Sequence, residues 1–113
     1  MSAHQSELIA AEAAPIFAAL GDTTRLSLLS RLNDGQPRSV VQLTAGTGLT
    51  RQGVRKHLGV LEAVGLVMRE RVGRESRFVY QPTGIETAKQ HLERASAQWD
   101  NAIERLKRRL EGD

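Results

Sequence analysis

From Thr50 to His57 the chain reads Thr-Arg-Gln-Gly-Val-Arg-Lys-His. Arg51 with Arg55, and Gln52 with Lys56, stand four residues apart, so on a helix all four side chains share the exposed face of the first two turns. Their chemistry suits duplex DNA. A guanidinium fork pairs bidentately with guanine, a glutamine amide offers adenine a donor and an acceptor, and lysine supplies charge to phosphate. The positive end of the helix dipole favours nearby phosphates. His57 offers a ring nitrogen to a phosphate or base, and equally to a neighbour in the turn against which it packs. A second basic group, Arg71, Arg74 and Arg77, surrounds Gly73, where it would straddle a DNA backbone or enter a minor groove, with Glu75 reducing the charge. Any one of these arginines alone is more readily a solvated surface charge. Their conjunction is what points to nucleic acid, and Ser39 and Thr50, each at the start of a helix, complete the candidate contact set.

These side chains need a frame, and local signals supply one. Leu8, Ile9, Glu12, Ile16, Ala19 and Leu20 fall at helical spacing before Gly21, which predicts a first helix over 7–20 with Pro15 as a possible kink. Asp22 caps a second helix that buries Leu26, Leu29 and Leu32 before Asn33, Asp34, Gly35 and Pro37 stop it. Ser39 and Gln42 form a capping box that opens a short third helix ending at Gly46 and Gly48. Thr50 caps a fourth over 50–64, with Val54, Leu58, Leu61 and Val64 turned inward and Gly65 at its end. Two helices joined by a short glycine-containing turn make a helix-turn-helix. Residues 66–81 then read as a wing, two short strands around the Gly73-Arg74-Glu75 loop. A last helix over 84–111 follows. The expected fold is mainly α with a small β-hairpin, a winged helix-turn-helix of five helices with the two strands between the fourth and fifth. Residues 1–113 form one domain.

Composition narrows the function classes. The 113-residue chain has no cysteine and 26% charged residues, which excludes disulfides, thiolate metal sites and cysteine nucleophiles. Its net charge of +3 is concentrated: Leu49 to Tyr80 holds seven basic and three acidic residues, a surplus of four, and leaves the remainder at −1. No stretch approaches the roughly 20 apolar residues that cross a bilayer, so no membrane association and a cytoplasmic location are expected. There is no glycine-rich phosphate loop, no histidine pair at helical metal spacing and no Gly-x-Ser-x-Gly elbow, so no catalytic residue is assigned and the chain is not expected to be an enzyme.

Phe17-Ala-Ala-Leu-Gly-Asp-Thr-Thr-Arg-Leu26, Leu49-Thr-Arg-Gln-Gly-Val-Arg-Lys-His-Leu58 and Leu61-Glu-Ala-Val-Gly-Leu-Val67 together resemble the ArsR family of winged-helix repressors across nearly the whole chain. The resemblance implies a homodimer that binds an imperfect inverted repeat in double-stranded DNA near its own promoter, with Thr50, Arg51, Gln52, Arg55, Lys56 and His57 on the recognition helix. One departure matters. Members that sense thiophilic metals carry paired cysteines where this chain has Ser39 and Val41, neither a soft ligand. Members that bind zinc between terminal helices use spaced aspartate, histidine and glutamate, whereas the last helix here has only His91, with Glu86, Glu93 and Asp100 at other spacings. No metal and no cofactor are therefore expected, and the sequence names no small-molecule effector.

Ile85, Ala88, Leu92, Ala95, Trp99, Ala102, Leu106 and Leu110 step by three or four residues along the last helix, an apolar seam of the kind that meets another helix. With Ile103 beside it and Leu8 and Ile16 on the first helix, this seam is the expected dimer interface, anchored by Trp99. Two readings compete with a dimeric repressor: a winged-helix module that docks an acidic protein without specific DNA binding, and a metal-responsive repressor.

Overall fold

Among the described residues, five helices and three short strands run α1 (Ala3–Leu20), α2 (Thr23–Ser30), β1 (Arg38–Ser39), α3 (Val40–Thr44), α4 (Arg51–Ala63), β2 (Val67–Val72), β3 (Glu75–Tyr80) and α5 (Pro82–Gly112). The described residues of this computed structural model run from Ala3 to Gly112, without the side chains of residues 3–6, 8 and 9. Leu8, expected at the dimer interface, is among those side chains that lie outside the description.

The predicted caps hold the helix starts. Asp22 accepts a 3.0 Å hydrogen bond from the Arg25 amide, which is the main reason its carboxyl is held below the ordinary carboxylate range. Ser39 and Gln42 close the reciprocal capping box, with Gln42 N donating to Ser39 Oγ at 3.1 Å and Ser39 N donating to Gln42 Oε1 at 2.8 Å. Thr50 Oγ1 accepts from Gly53 N at 3.0 Å and opens α4. The end of α4 is equally specific. Gly65 adopts φ +74°, its amide bonds Glu62 O and the Leu66 amide bonds Leu61 O, the double bond pattern that turns a helix off through a left-handed residue.

Two details go beyond the expected frame. The first helix begins four residues earlier than predicted and runs through Pro15, which is exposed, while Ala13, Ile16 and Ala19 are buried and hold it to the body. The predicted hairpin is part of a three-stranded antiparallel sheet in the order β1-β3-β2, in which Arg38 pairs with Phe78 and Ser39 with Arg77. β2 and β3 pair from Val67 with Tyr80 out to Val72 with Glu75.

The core is one cluster beneath α4. Leu28, Leu32, Leu43, Val54, Leu58, Leu61 and Leu66 are fully buried, joined by Ile16, Val67, Phe78 and Ala88. Burying each such leucine contributes roughly 2 kcal/mol, so α4 is held by its inner face while its outer face stays free. Only Val67 in β2 and Phe78 in β3 are buried, so the outer half of the hairpin projects from the body. α1 packs along the start of α5. From Ser96 onward every described residue of α5 except Ala102 is exposed, which accounts for the 69 Å long axis of a molecule 27 by 22 Å across.

Candidate nucleic-acid interface

α3 and α4 are packed together, joined by the short segment from Ala45 to Thr50, and the geometry of the second helix follows from its cap. Once Thr50 sets the start, the 3.6-residue period places Val54, Leu58 and Leu61 inward at 0% exposure and leaves Arg51, Gln52, Arg55 and Lys56 exposed. The wing is set by its turn. Gly73 (φ +63°) and Arg74 join β2 to β3 directly, and a glycine in that first central position gives a two-residue loop whose twist matches the strands. Arg71 and Arg74 are exposed on this hairpin.

Ion pairing separates the basic residues of α4 and the sheet into two sets, while on α5 Lys89, Arg105, Arg108 and Arg109 also have no acidic partner among the described residues. Arg69 donates to Glu62 at 3.1 Å and its guanidinium lies 5.3 Å from the Phe78 ring centroid, so it ties the wing to α4. Arg77 donates to Glu75 at 3.0 Å. Arg38 is bound to Asp34 at 2.6 Å, which holds that carboxyl well below its ordinary range. Among the described residues Arg51, Arg55, Lys56, Arg71 and Arg74 have no acidic partner. All five lie on α4 or the wing, and between these elements a cleft of about 350 Å³ is lined by Arg55, Arg69 and Arg74 over an apolar floor of Val40, Val41 and Phe78. Cationic side chains without internal partners are free to take phosphate or base acceptors without first breaking an ion pair.

Two sequence candidates stand apart from this face. Ser39 is only 5% exposed and its hydroxyl is committed to the α3 cap, so the structure corrects it from a DNA contact to a structural residue. His57 is turned toward α2, with Nδ1 3.5 Å from Arg25 Nη1 and 3.9 Å from Asp22 Oδ2. Of the expected dimer residues, Ile16 is 5% exposed and belongs to the core, a second correction, because α1 packs it against the body. Leu92, Trp99, Ile103, Leu106 and Leu110 are exposed, Trp99 at 70%.

The sequence reading missed the arginines that join helices. Arg31 Nη1 donates to Leu43 O at 3.0 Å and Ala45 O at 2.6 Å, fixing the end of α3 against α2. Arg25 does the same for α1 through Ala18 O and Ala19 O. Arg25 is the one charged residue of α2 and Arg31 caps its end; that was the only signal, and it gives no hint of a partner. Among the described residues no three histidine, cysteine or acidic side chains group as metal ligands, and no helix is long and apolar enough to cross a membrane.

A family model described as a helix-turn-helix domain matches residues 20–70. An uncharacterized HTH-type transcriptional regulator of Bacillus subtilis, YuzN, is 40% identical over 71 residues, covering 58% of this chain and 77% of that protein. Among solved structures, an ArsR-like transcriptional regulator from Rhodococcus sp. RHA1 superposes with a TM-score of 0.79 at 36% identity, covering 91% of this chain and 96% of that one. The transcriptional repressor BigR from Xylella fastidiosa superposes with a TM-score of 0.61 at 25% identity, covering 82% and 92%. These relatives are regulators, a class distinct from enzymes. The cap-defined helix-turn-helix, the basic wing and the two-sided coverage of the Rhodococcus protein lead to one conclusion: this chain belongs to the ArsR family of winged helix-turn-helix transcriptional regulators.

Proposed function

We propose that this protein is a homodimeric repressor, acting on its own promoter, that binds an inverted-repeat operator through α4 and the wing. Residues 1–113 act as one DNA-binding domain whose terminal helices form the dimer. The observation that carries this reading is the set of five unpartnered cations, Arg51, Arg55, Lys56, Arg71 and Arg74, gathered on α4 and the wing while neighbouring Arg69 and Arg77 are ion-paired. Gln52, exposed among them, adds a base-reading amide. The exposed seam of α5 supports a two-fold partner, which would set two copies of α4 on half-sites about one helical turn apart. A repressor among the structural relatives supports the direction of regulation.

Selection of bound sequences from randomised duplex DNA at two salt concentrations tests this. Recovery of an inverted repeat establishes the reading and supplies the operator. Recovery of no motif, with binding lost at physiological salt, sinks it in favour of an acidic protein partner.

Individual residues divide by role. Arg55→Ala is expected to weaken cognate binding by about 1–3 kcal/mol and to relax preference at one base position, because a guanidinium fork that reads a base loses both bonds together. Uniform weakening on all sequences would instead make Arg55 a phosphate contact. Arg74→Ala at the wing tip is expected to flatten the plot of log affinity against log salt by about one unit, the signature of one lost phosphate contact. An unchanged slope removes Arg74 from the backbone.

A further inference from the structure

α4 carries one polar side chain near its inner face that the contact set above does not use. The His57 side chain is 28% exposed and stands beside the buried Val54 and Leu58. Arg25 reaches it from α2. Its Nη1 lies 3.5 Å from His57 Nδ1, at the long limit of a hydrogen bond, while Nε donates to Ala19 O at 2.7 Å and Nη2 to Ala18 O at 3.2 Å. Those carbonyls belong to the last turn of α1, where Ala18 O also accepts from Gly21 N at 3.3 Å and where the negative end of the helix dipole lies. Asp22 anchors the root of the bridge, since its carboxylate accepts from the Arg25 amide; it lies 3.9 Å from the same imidazole nitrogen, beyond hydrogen-bond distance. One guanidinium therefore joins the end of α1 to the middle of α4.

We propose that Arg25 and His57 are positioning residues for DNA reading: the bridge sets the rotation at which α4 presents Arg51, Gln52 and Arg55, and so governs discrimination between sequences. This rests on the reading of α4 given above. A guanidinium has donors only, so the contact makes Nδ1 the acceptor and places the ring proton on Nε2. A lysine ammonium lacks the planar fork that serves two carbonyls and a ring at fixed angles. Base edges are read at hydrogen-bond distance, where a shift of a fraction of an ångström costs selectivity, while flexible arms to phosphate absorb such a shift.

The test uses the full chain and the operator recovered by selection. Arg25→Lys, His57→Ala, His57→Gln and the Arg25→Lys/His57→Ala double variant are titrated against the operator, its single-base variants and an unrelated duplex across a salt series. Melting temperature is followed in parallel. Arg25→Lys and His57→Ala are each expected to lose roughly tenfold in discrimination between operator and variants. The unrelated duplex and the salt slope should stay unchanged, and the double variant should be no worse than Arg25→Lys, because that variant already loses the ring contact that His57→Ala removes. His57→Gln, whose amide oxygen accepts from Arg25, should restore discrimination. Nitrogen NMR of the parent protein should show the His57 proton on Nε2, a readout that stands even where a variant fails to fold.

Normal discrimination in the single variants overturns the bridge while leaving the α4 reading intact. So does a salt slope reduced by about one unit in His57→Ala, which would make His57 a phosphate contact. A loss on every duplex that tracks the melting temperature, or a proton on Nδ1, overturns it as well. A parent protein that selects no sequence removes the α4 reading and the bridge together.

Discussion

Trp99→Asp is expected to convert the protein to a monomer and to abolish operator binding at concentrations where the parent binds, while the helix-turn-helix stays folded. At 31 residues α5 is about 46 Å long, yet only Gly84 and Ala88 in its first two turns are buried in the protomer. Leu92 is 54% exposed, Trp99 70%, Ile103 47%, Leu106 55% and Leu110 77%. Most helical stability in proteins comes from packing an amphipathic face, so the seam calls for cover. A two-fold dimer built on this seam would supply it and would bury Trp99 twice. An interface tryptophan is commonly worth about 2 kcal/mol or more, so two aspartates in its place amount to roughly 4 kcal/mol, about a thousandfold in the dimer dissociation constant. Loss of the second half-site then removes the gain of roughly 10²–10⁴ that linked binding provides. Because Trp99 is so exposed in the protomer, the substitution leaves the core untouched, and circular dichroism should show a folded chain. Sedimentation equilibrium and gel-shift titration read the outcome. A Trp99→Asp protein that remains dimeric at low micromolar concentration and binds the operator normally places the interface elsewhere.

What was legible in the sequence was whatever is decided within three or four residues. Asp22, the Ser39 and Gln42 pair, Thr50 and Gly65 each act on backbone groups one turn away, so residue type and spacing suffice to place helix ends. The outer face of α4 followed from its cap by periodicity. What was not legible depends on partners distant along the chain. β1 exists only because Arg38 and Ser39 meet Phe78 and Arg77, and two residues have no strand pattern of their own. Arg69, Arg71 and Arg77 look alike in sequence, but Glu62 and Glu75 occupy the first and last, leaving Arg71 without an acidic partner among the described residues. Ile16 carries the same signal whether it meets a partner subunit or its own core, and packing of α1 decided for the core.

The junction between α4 and α5 shows how a position that carries no chemistry constrains both. Pro82 begins α5 where its missing N–H costs nothing, and the Gly84 amide in the same turn donates to Gly65 O at 2.9 Å. A Cβ built on Gly84 would lie 2.7 Å from Val64 O and 3.0 Å from Gly65 C and O, all of them backbone atoms that cannot rotate away. Gly84→Ala is therefore expected to destabilise the protein by about 1–3 kcal/mol, the usual result of forcing a methyl group into a packed junction, and this outweighs the gain of up to about 1 kcal/mol from alanine's helix propensity. Gly59 is the control with the opposite sign. Its Cβ would meet nothing within 4 Å in the middle of α4, so Gly59→Ala should stabilise by roughly 0.5–1 kcal/mol. The consequence for α5 exceeds the local cost. A relief of about 0.5 Å across the first turn tilts the helix by about 5°, and over the roughly 42 Å beyond Gly84 that displaces the far end by about 4 Å. The seam around Trp99 would then meet its partner out of register, so operator affinity should fall more than thermal stability does. A Gly84→Ala protein that melts no lower than the parent and binds as tightly would mean that the start of α5 is free to move, and that the turn at Gly65 does not set the direction of the helix.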